Sequence, residues 1–147
     1  MYGNLDEVIE KFRTQLDSCL GEKEYKFTDI TNEVEYDEKL SLGEYKLTIA
    51  GEVLASFKLY PMIGCCGICV STQAFVNPSF RGRGLGTLMN SIRIDIARYN
   101  GYSLLLCTDI EKNEPQRKIL KSNGWKDIHK FINKRTQNTI FISVINL

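Results

Sequence analysis

The 147-residue chain is poor in several features that would assign it to a special class. It has one histidine, one tryptophan and three prolines. It also has no run of about 18 apolar residues, so we expect no transmembrane helix and no membrane partner. The N-terminal stretch MYGNLDEVIEKF is acidic and lacks the basic and apolar regions of a signal peptide, which predicts a cytoplasmic location. Hydrophobic and charged contents of 43% and 25% are ordinary for a globular protein, and the length predicts a single domain over residues 1–147.

Net charge is also small, at +1, but the charges are unevenly distributed. Residues 1–60 carry 13 acidic and 7 basic side chains, whereas residues 112–147 carry 2 acidic and 8 basic ones. The C-terminal part is therefore a candidate surface for an anionic partner, and a solvated face balanced by the acidic N-terminal part explains it equally well. The low net charge and the lack of interleaved aromatic and basic residues argue against a nucleic-acid partner.

The five cysteines are an odd number, which predicts free thiols in the absence of a signal peptide. Cys66 and Cys69 form a C-x-x-C, but a zinc site needs further ligands, and only Cys107 and His129 are available at a distance. We therefore predict no metal site and expect the cysteines to be small buried hydrophobic residues. His129 alternates with apolar positions on a predicted strand, which favours a packing role for it.

Apolar periodicity and turn residues predict the secondary structure. An amphipathic helix is predicted over residues 5–20, ended by Gly21, and residues 31–42 are predicted to be a loop or a short helix. Further helices are predicted from Leu85 to near residue 100 and over residues 114–122. Strands are predicted over residues 25–30, 45–50, 53–60, 68–76, 102–107, 125–132 and 139–145. This order predicts a mixed, twisted α+β sheet with one right-handed parallel crossover after residue 76.

The stretch NPSFRGRGLGTL, residues 77–88, follows a strand and opens a helix. Backbone N–H groups at such a helix start can converge on an anion, and Gly82, Gly84 and Gly86 permit close approach and positive φ angles. Arg81 and Arg83 add charged donors, so a phosphate or pyrophosphate site is plausible. The glycine spacing matches neither a dinucleotide fingerprint nor a Walker A loop, and a glycine turn with two solvated arginines remains an alternative.

The pattern Arg81-x-x-Gly84-x-Gly86 resembles the coenzyme A loop, [QR]-x-x-G-x-[GA], of the GNAT superfamily of N-acetyltransferases. That family has a later helix of the form N-x-x-A-x-x-x-Y-x-x-x-G-F, which Asn113-x10-Gly124 followed by an aromatic residue matches in part. The resemblance covers roughly residues 44–147. It implies a mostly antiparallel sheet of six to seven strands flanked by helices, splayed between the strands of residues 68–76 and 102–107.

The resemblance also implies an activity: transfer of an acetyl group from acetyl-CoA to a primary amine, of a small molecule or a protein, by direct attack in a ternary complex. Pantetheine would pair with the backbone of Phe75 and Val76, and the N–H near Val76 would polarise the thioester carbonyl. Asn113 and Arg117 would lie near the pantetheine or adenosine part. The pyrophosphate would be held by the amides of Arg81, Gly82, Arg83, Gly84, Leu85, Gly86 and Thr87.

The sequence departs from the family where proton transfer is concerned. Leu120 stands where members often have a tyrosine as general acid, and residues 68–76 contain no carboxylate that could act as a base. Cys107, Thr108 and Asp109, which follow the second splayed strand, are candidates that could equally be structural, and for Cys107 we favour a place in the core. The alternatives are a non-catalytic CoA-binding module of the same fold and a nucleic-acid-directed modifying protein.

The acceptor side is the least defined part of the predicted site. Acidic residues in the segment 31–42 would attract a cationic amine or would simply be solvated; they are Glu33, Glu35, Asp37 and Glu38. Lys134 and Arg135, in the loop of the last hairpin, would instead suit an acidic or nucleic-acid acceptor. The acceptor and the oligomeric state are left open, with a homodimer as one candidate.

Overall fold

A computed structural model describes residues 5–21, 24–34 and 40–147 of the chain. Within these residues the strands are β1 (Lys26–Val34), β2 (Leu40–Ile49), β3 (Glu52–Pro61), β4 (Ile68–Val76), β5 (Leu104–Ile110), β6 (Lys126–Ile132) and β7 (Thr139–Asn146). The helices are α1 (Leu5–Leu20), α2 (Leu85–Tyr99) and α3 (Glu114–Ser122), with one 3-10 turn at Pro78–Phe80. The seven described strands form one sheet in the order β1-β2-β3-β4-β5-β7-β6. The predicted α+β class with a mixed, mostly antiparallel sheet is confirmed.

The strands β1 to β4 form an antiparallel meander of consecutive hairpins. The turn between β2 and β3 lies at Ala50 and Gly51, one residue earlier than predicted, and both residues have positive φ angles, of 50° and 82°. Two positive φ values are typical of a type I′ turn, whose twist matches that of the flanking strands. The local turn chemistry therefore sets the register of this hairpin.

The prediction of a loop or short helix over residues 31–42 is wrong for the described part of that segment. Residues 31–34 belong to β1 and residues 40–42 to β2, and the two strands are paired as far as Val34 opposite Leu40. Because β1 is the edge strand of the sheet, backbone pairing holds it without the apolar alternation on which the prediction relied. Glu35, Asp37 and Glu38 lie outside the described residues, as does the side chain of Glu33.

The sheet is splayed between β4 and β5, as predicted. These parallel strands pair only from Ile68 opposite Leu104 to Val70 opposite Leu106. Beyond that point β5 continues antiparallel with β7, while β4 stays with β3 and diverges. Thr108 and Asp109 lie within β5 rather than after it, since pairing with β7 extends the strand beyond its apolar run.

The core lies between the sheet and the helices α1 and α2, whose apolar faces pack on each other. Cys69 and Cys107 are buried in this core, which confirms the prediction for these two thiols, whereas Cys65 and Cys66 are exposed. His129 lies on β6, whose residues are all exposed, so the predicted packing role is wrong. The apolar alternation of β6 misled the prediction because, among the described residues, no layer buries either face of this edge strand.

Two further properties of the described residues bear on function. Within them, no three His, Cys, Asp or Glu side chains are grouped closely enough to hold a metal ion. None of the helices described has the length and apolar character needed to cross a bilayer.

Candidate active site

A cleft of about 340 Å³ opens where β4 and β5 diverge. One wall is the C-terminal half of β4, with Phe75 and Val76. The glycine loop and α2 as far as Arg93 form the second wall, and α3 with its N-cap, through Asn113 and Ile119, forms the third. The cleft thus brings α3 against the continuous stretch of chain that runs from β4 through the glycine loop into α2.

A bulge interrupts β4 at the cleft. Thr72 pairs with Lys58 and Phe75 pairs with Ser56, so two β4 residues, at positions 73 and 74, lie opposite a single β3 residue. Gln73 has a φ of 54°, a left-handed conformation that non-glycine residues adopt rarely. Such bulges redirect the strand and free backbone groups from the ladder, and they concentrate near functional sites.

The backbone of Val76 faces the cleft. The N–H of the next residue, Asn77, donates to the carbonyl of Leu54 on β3 at 2.7 Å. Successive peptide groups of a strand point to opposite sides, so the N–H and C=O of Val76 point away from β3. In agreement with this, the Val76 carbonyl oxygen accepts a bond from Nε of Arg81 at 3.0 Å. The N–H of Val76 therefore points toward the space that β5 has left.

The glycine loop places the uncapped N-terminus of α2 at the same cleft. Gly82 and Gly84 have φ angles of 79° and 81°, and Gly84 is the N-cap of α2 without a capping side chain. The first helical bond runs from the N–H of Leu88 to the carbonyl of Gly84, at 3.0 Å. The N–H groups of residues 84–87 consequently have no partner within the helix, and they lie at the positive end of its dipole. This arrangement suits an anion such as a pyrophosphate.

Gly86 serves close packing rather than an unusual backbone angle. A Cβ at this position would lie 3.0 Å from Cδ1 of Ile119 on α3 and 3.8 Å from Cγ2 of Val76. The missing side chain therefore lets the first turn of α2 approach both α3 and β4. This contact fixes the width of the cleft at its glycine end.

Most residues that the sequence singles out for CoA binding line this cleft. They are Phe75, Val76, Arg81, Gly82, Gly84, Gly86, Thr87 and Asn113. The side-chain oxygen of Asn113 also accepts the N–H of Gln116, at 3.4 Å, and so caps α3. Leu85 is buried in the core, and the guanidinium of Arg83 lies over the ring of Phe80 at 5.3 Å.

Arg117 does not line the cleft. Its guanidinium is held by two carboxylates, with Nη1 at 3.2 Å from Asp109 and Nη2 at 2.5 Å from Asp127, and it lies 3.8 Å from the ring centre of Phe141. The bond from Arg117 lowers the pKa of Asp127 to about 2, whereas burial raises the pKa of Asp109. The structure thus places Arg117 in an ion-pair cluster between α3, β5 and β6.

The candidates for proton transfer also lie elsewhere. Thr108 is exposed, Asp109 belongs to the ion-pair cluster, and neither lines the cleft. Burial raises the pKa of the Cys107 thiol to about 12, so it has negligible thiolate at neutral pH. Leu120 is 1% exposed and belongs to the core. Among the described residues that line the cleft there is no carboxylate, histidine, tyrosine or cysteine.

Among the cleft residues that were not predicted from the sequence, two are buried polar side chains, Asn90 and Arg93 of α2. They are 2% and 3% exposed and interrupt an otherwise apolar buried surface. Their spacing from Gly86, four and seven residues, is the signal that could have found them, because those positions share one helix face.

The fold has many relatives among solved structures, although no protein-family model and no curated protein matches the chain. An IAA acetyltransferase from Bacillus cereus matches 84% of this chain and 100% of its own, with a TM-score of 0.64 and 12% identity. The ribosomal-protein-S18-alanine N-acetyltransferase from Escherichia coli matches 90% of this chain and 75% of its own, with a TM-score of 0.60 and 14% identity.

A third relative, RimJ from Mycobacterium smegmatis, was solved in complex with CoA-disulfide. It matches 71% of this chain and 53% of its own, with a TM-score of 0.62 and 16% identity. The three matches each cover 71% or more of this chain. The chain therefore has the fold of the GNAT superfamily of N-acetyltransferases.

Proposed function

We propose that this protein is an acyl-CoA-dependent N-acetyltransferase that transfers an acetyl group from acetyl-CoA to a primary amine. The observation that carries the proposal is the meeting of two sets of backbone donors in one cleft. One set is the uncapped start of α2, and the other is the inward-facing N–H of Val76 next to a bulge in β4.

The residues present fit coenzyme A. The free N–H groups of residues 84–87, with Gly82 and Arg81 beside them, suit a pyrophosphate, and the exposed edge of β4 at Phe75 and Val76 suits the amides of pantetheine. The CoA-disulfide complex of the Mycobacterium smegmatis relative supports this choice of ligand, since the two proteins share the fold. Arg83 and Leu85 would contribute backbone amides rather than side chains.

Bound acetyl-CoA supplies the acyl group as a thioester; transfer forms a C–N bond to the amine, breaks the C–S bond and releases CoA with a proton taken from the amine. The N–H of Val76 would donate to the thioester oxygen as negative charge develops there. The rest of the rate enhancement would come from holding the two substrates together in the ternary complex, which can lower the barrier by about 7–11 kcal/mol at most. The cleft needs no resident acid or base for this, because an amine that enters uncharged can attack directly.

The test combines ligand binding with turnover. Binding of CoA and acetyl-CoA should raise the thermal unfolding midpoint, because a ligand of the folded state stabilises it. Release of free thiol from acetyl-CoA, measured against small amines and peptides with a free N-terminus, should then identify the acceptor class. Binding of CoA without turnover against any amine would favour the non-catalytic CoA-binding module. Absence of CoA binding would reject both the acetyltransferase hypothesis and the CoA-binding-module hypothesis.

A further inference from the structure

The buried polar pair on α2, Asn90 and Arg93, has no role in the mechanism proposed above. Both side chains line the cleft and both are more than nine-tenths buried. At 1.5 Å rise per residue, Arg93 lies about 10 Å further along α2 than Gly86, where the pyrophosphate would bind. The pair is therefore separate from the phosphate-binding end of the cleft.

Arg93 is bound only by neutral partners. Its Nε and Nη2 donate to Oδ1 of Asn90 at 3.1 and 2.7 Å, and its Nη1 donates to Oγ of Ser71 at 3.1 Å. The guanidinium lies over the ring of Trp125, 5.1 Å from its centre. In the described part of the chain no carboxylate lies within 4 Å of the Arg93 guanidinium. The nearby Asp109 is paired with Arg117 instead.

Asn90 carries a donor that no described group accepts. Its Oδ1 takes two bonds from Arg93, which fixes the orientation of the amide, and its Nδ2 is buried without a hydrogen-bond partner. A buried unpaired polar group destabilises a folded protein, and a buried charge is normally paired. Burial also lowers the pKa of Arg93, which reflects the cost of removing this charge from water. The pair thus offers N–H donors and a positive charge, but no acceptor, to whatever enters the cleft.

The position of the pair indicates which part of a substrate would meet it. Ser71, which binds Arg93, directly follows the last β4–β5 pair, Val70 opposite Leu106. Arg93 therefore lies at the apex of the splay, beyond the Gln73 bulge when viewed from Val76. A group that reaches the apex would belong to one of the two substrates, and it would extend beyond the site of acyl transfer at Val76.

We propose that Arg93 and Asn90 form a carboxylate-binding subsite that selects a substrate bearing a carboxylate. The proposal rests on the proposed function for the placement of the substrates. A planar guanidinium with an adjacent amide matches the two oxygens of a carboxylate, and such charged bonds are strongest where water is excluded. The carboxylate comes either from a dicarboxylic acyl group on CoA or from a carboxylate-bearing amine acceptor.

The first arm of the test compares acyl donors. Succinyl-CoA and butyryl-CoA have acyl chains of the same carbon number, but only the former ends in a carboxylate. We expect wild-type protein to bind succinyl-CoA at least about tenfold more tightly, as one charged bond contributes about 1.5–3 kcal/mol. A second arm compares glycine with glycinamide as acceptors of an acetyl group, and a preference for glycine there assigns the carboxylate to the acceptor instead.

Asn90→Asp and Asn90→Leu separate recognition from folding. The aspartate would give Arg93 an internal counter-ion, so we expect this variant to keep or raise the unfolding midpoint and to lose the carboxylate preference. The leucine removes the unpartnered donor and also the acceptor that orients Arg93, so it should reduce the preference about tenfold and lower the unfolding midpoint relative to Asn90→Asp. A preference retained by Asn90→Asp, or absent from wild type in both arms, overturns the proposal.

Trp125 provides a readout that does not depend on CoA. It is the only tryptophan of the chain and lies against Arg93, so an anion at the pair should change its fluorescence. Titration with free succinate should give a saturable change that succinamide does not reproduce and that Asn90→Asp abolishes. If the protein fails to bind CoA yet shows this change, only the proposed function is rejected; if it binds CoA and shows neither this change nor a carboxylate preference, only the subsite is rejected.

Discussion

Arg81 Nε lies 3.0 Å from the carbonyl oxygen of Val76, so the glycine loop is tied directly to the strand whose backbone faces the cleft. Arg83, two residues later, lies instead over the ring of Phe80 and does not line the cleft. The two arginines of the loop are therefore not equivalent. Arg81 ties the loop to β4 and lines the cleft, whereas Arg83 packs on the loop.

This difference predicts unequal effects of the same substitution. Arg81→Leu should weaken CoA binding at least about tenfold, because it removes both a charged donor and the bond that fixes Val76. Arg83→Leu, the matched control, should change the affinity less than Arg81→Leu does. Isothermal titration with CoA measures both, and equal losses for the two variants would contradict the assigned geometry.

Gly84→Asp should abolish CoA binding while the protein stays folded. The position has a φ of 81°, and a carboxylate there would repel the pyrophosphate from the N–H groups that should bind it. Gly101, at the other end of α2, has a φ of 82° and equal space around it, so Gly101→Asp carries the same charge and a similar backbone strain of about 1–2 kcal/mol. We expect both variants to stay folded, with Gly101→Asp no more stable than Gly84→Asp because a negative charge is unfavourable at the C-terminal end of a helix, and loss of CoA binding only for the first. Retained affinity in Gly84→Asp would remove the phosphate-binding role of the loop.

The ion-pair cluster of Arg117 predicts an acid-sensitive contribution to stability. The pKa of Asp127 is lowered from 3.8 to about 2, so its stabilising effect is present above about pH 4 and is lost as the pH falls toward 2. Burial raises the pKa of Asp109, so this carboxyl group binds a proton more readily in the folded state than in the unfolded state. Its effect on stability therefore has the opposite sign to that of Asp127, and it becomes less favourable as the pH rises through the folded-state pKa.

Denaturant unfolding at several pH values tests both signs. Asp127→Asn should be clearly destabilised at pH 7, and the difference from wild type should shrink as the pH approaches 2. Asp109→Asn should cost less at pH 7, since its bonds to Arg117 are longer, at 3.2 and 3.4 Å. A larger loss for Asp109→Asn at neutral pH would show that the two roles are reversed.

Placing at position 120 the tyrosine that GNAT proteins often have there should not create a general acid in this protein. Leu120 is 1% exposed and its neighbours are core side chains, so Leu120→Tyr inserts a larger, polar group into packed space. Overpacking of this kind costs about 1–3 kcal/mol, which a lower denaturation midpoint would report. The rate of thiol release should not increase. A faster enzyme with unchanged stability would mean that position 120 opens to the cleft in solution.

Local signals were sufficient to predict much of this molecule. The bounds of α1, β4 and α3 follow from apolar periodicity and from glycine and asparagine at their ends, because these elements carry their own start and stop signals. The glycine loop was equally predictable from the sequence, since helix starts that bind anions commonly combine glycine with basic residues. The extent of β1 and β5 was not predictable in this way, because each is lengthened by pairing with a partner strand.

The interior of the cleft was the least predictable part. Arg93 shares a helix face with Gly86, but this spacing alone does not tell a buried arginine from one that reaches solvent at the edge of an apolar helix face. Arg117 shows the converse, since its place in the motif predicted a ligand contact, while Asp109 and Asp127, on two different strands, bind it. In both cases the decisive neighbours come from elements that meet only in the folded sheet.

The strand order β5-β7-β6 has a consequence for folding. β7 is the last strand in the chain, yet it lies between β5 and β6, which precede it in the sequence. The strands β1 to β4, in contrast, pair with their sequence neighbours as successive hairpins. Contacts between distant residues slow folding, so the β1–β4 half can assemble early, and insertion of β7 should limit the rate. Because Arg117 of α3 is paired with Asp127 of β6 and lies over Phe141 of β7, we expect the third wall of the cleft to be fixed only at that late step. Substitutions in β7 should therefore delay the appearance of CoA binding during refolding, even where the final stability is unchanged.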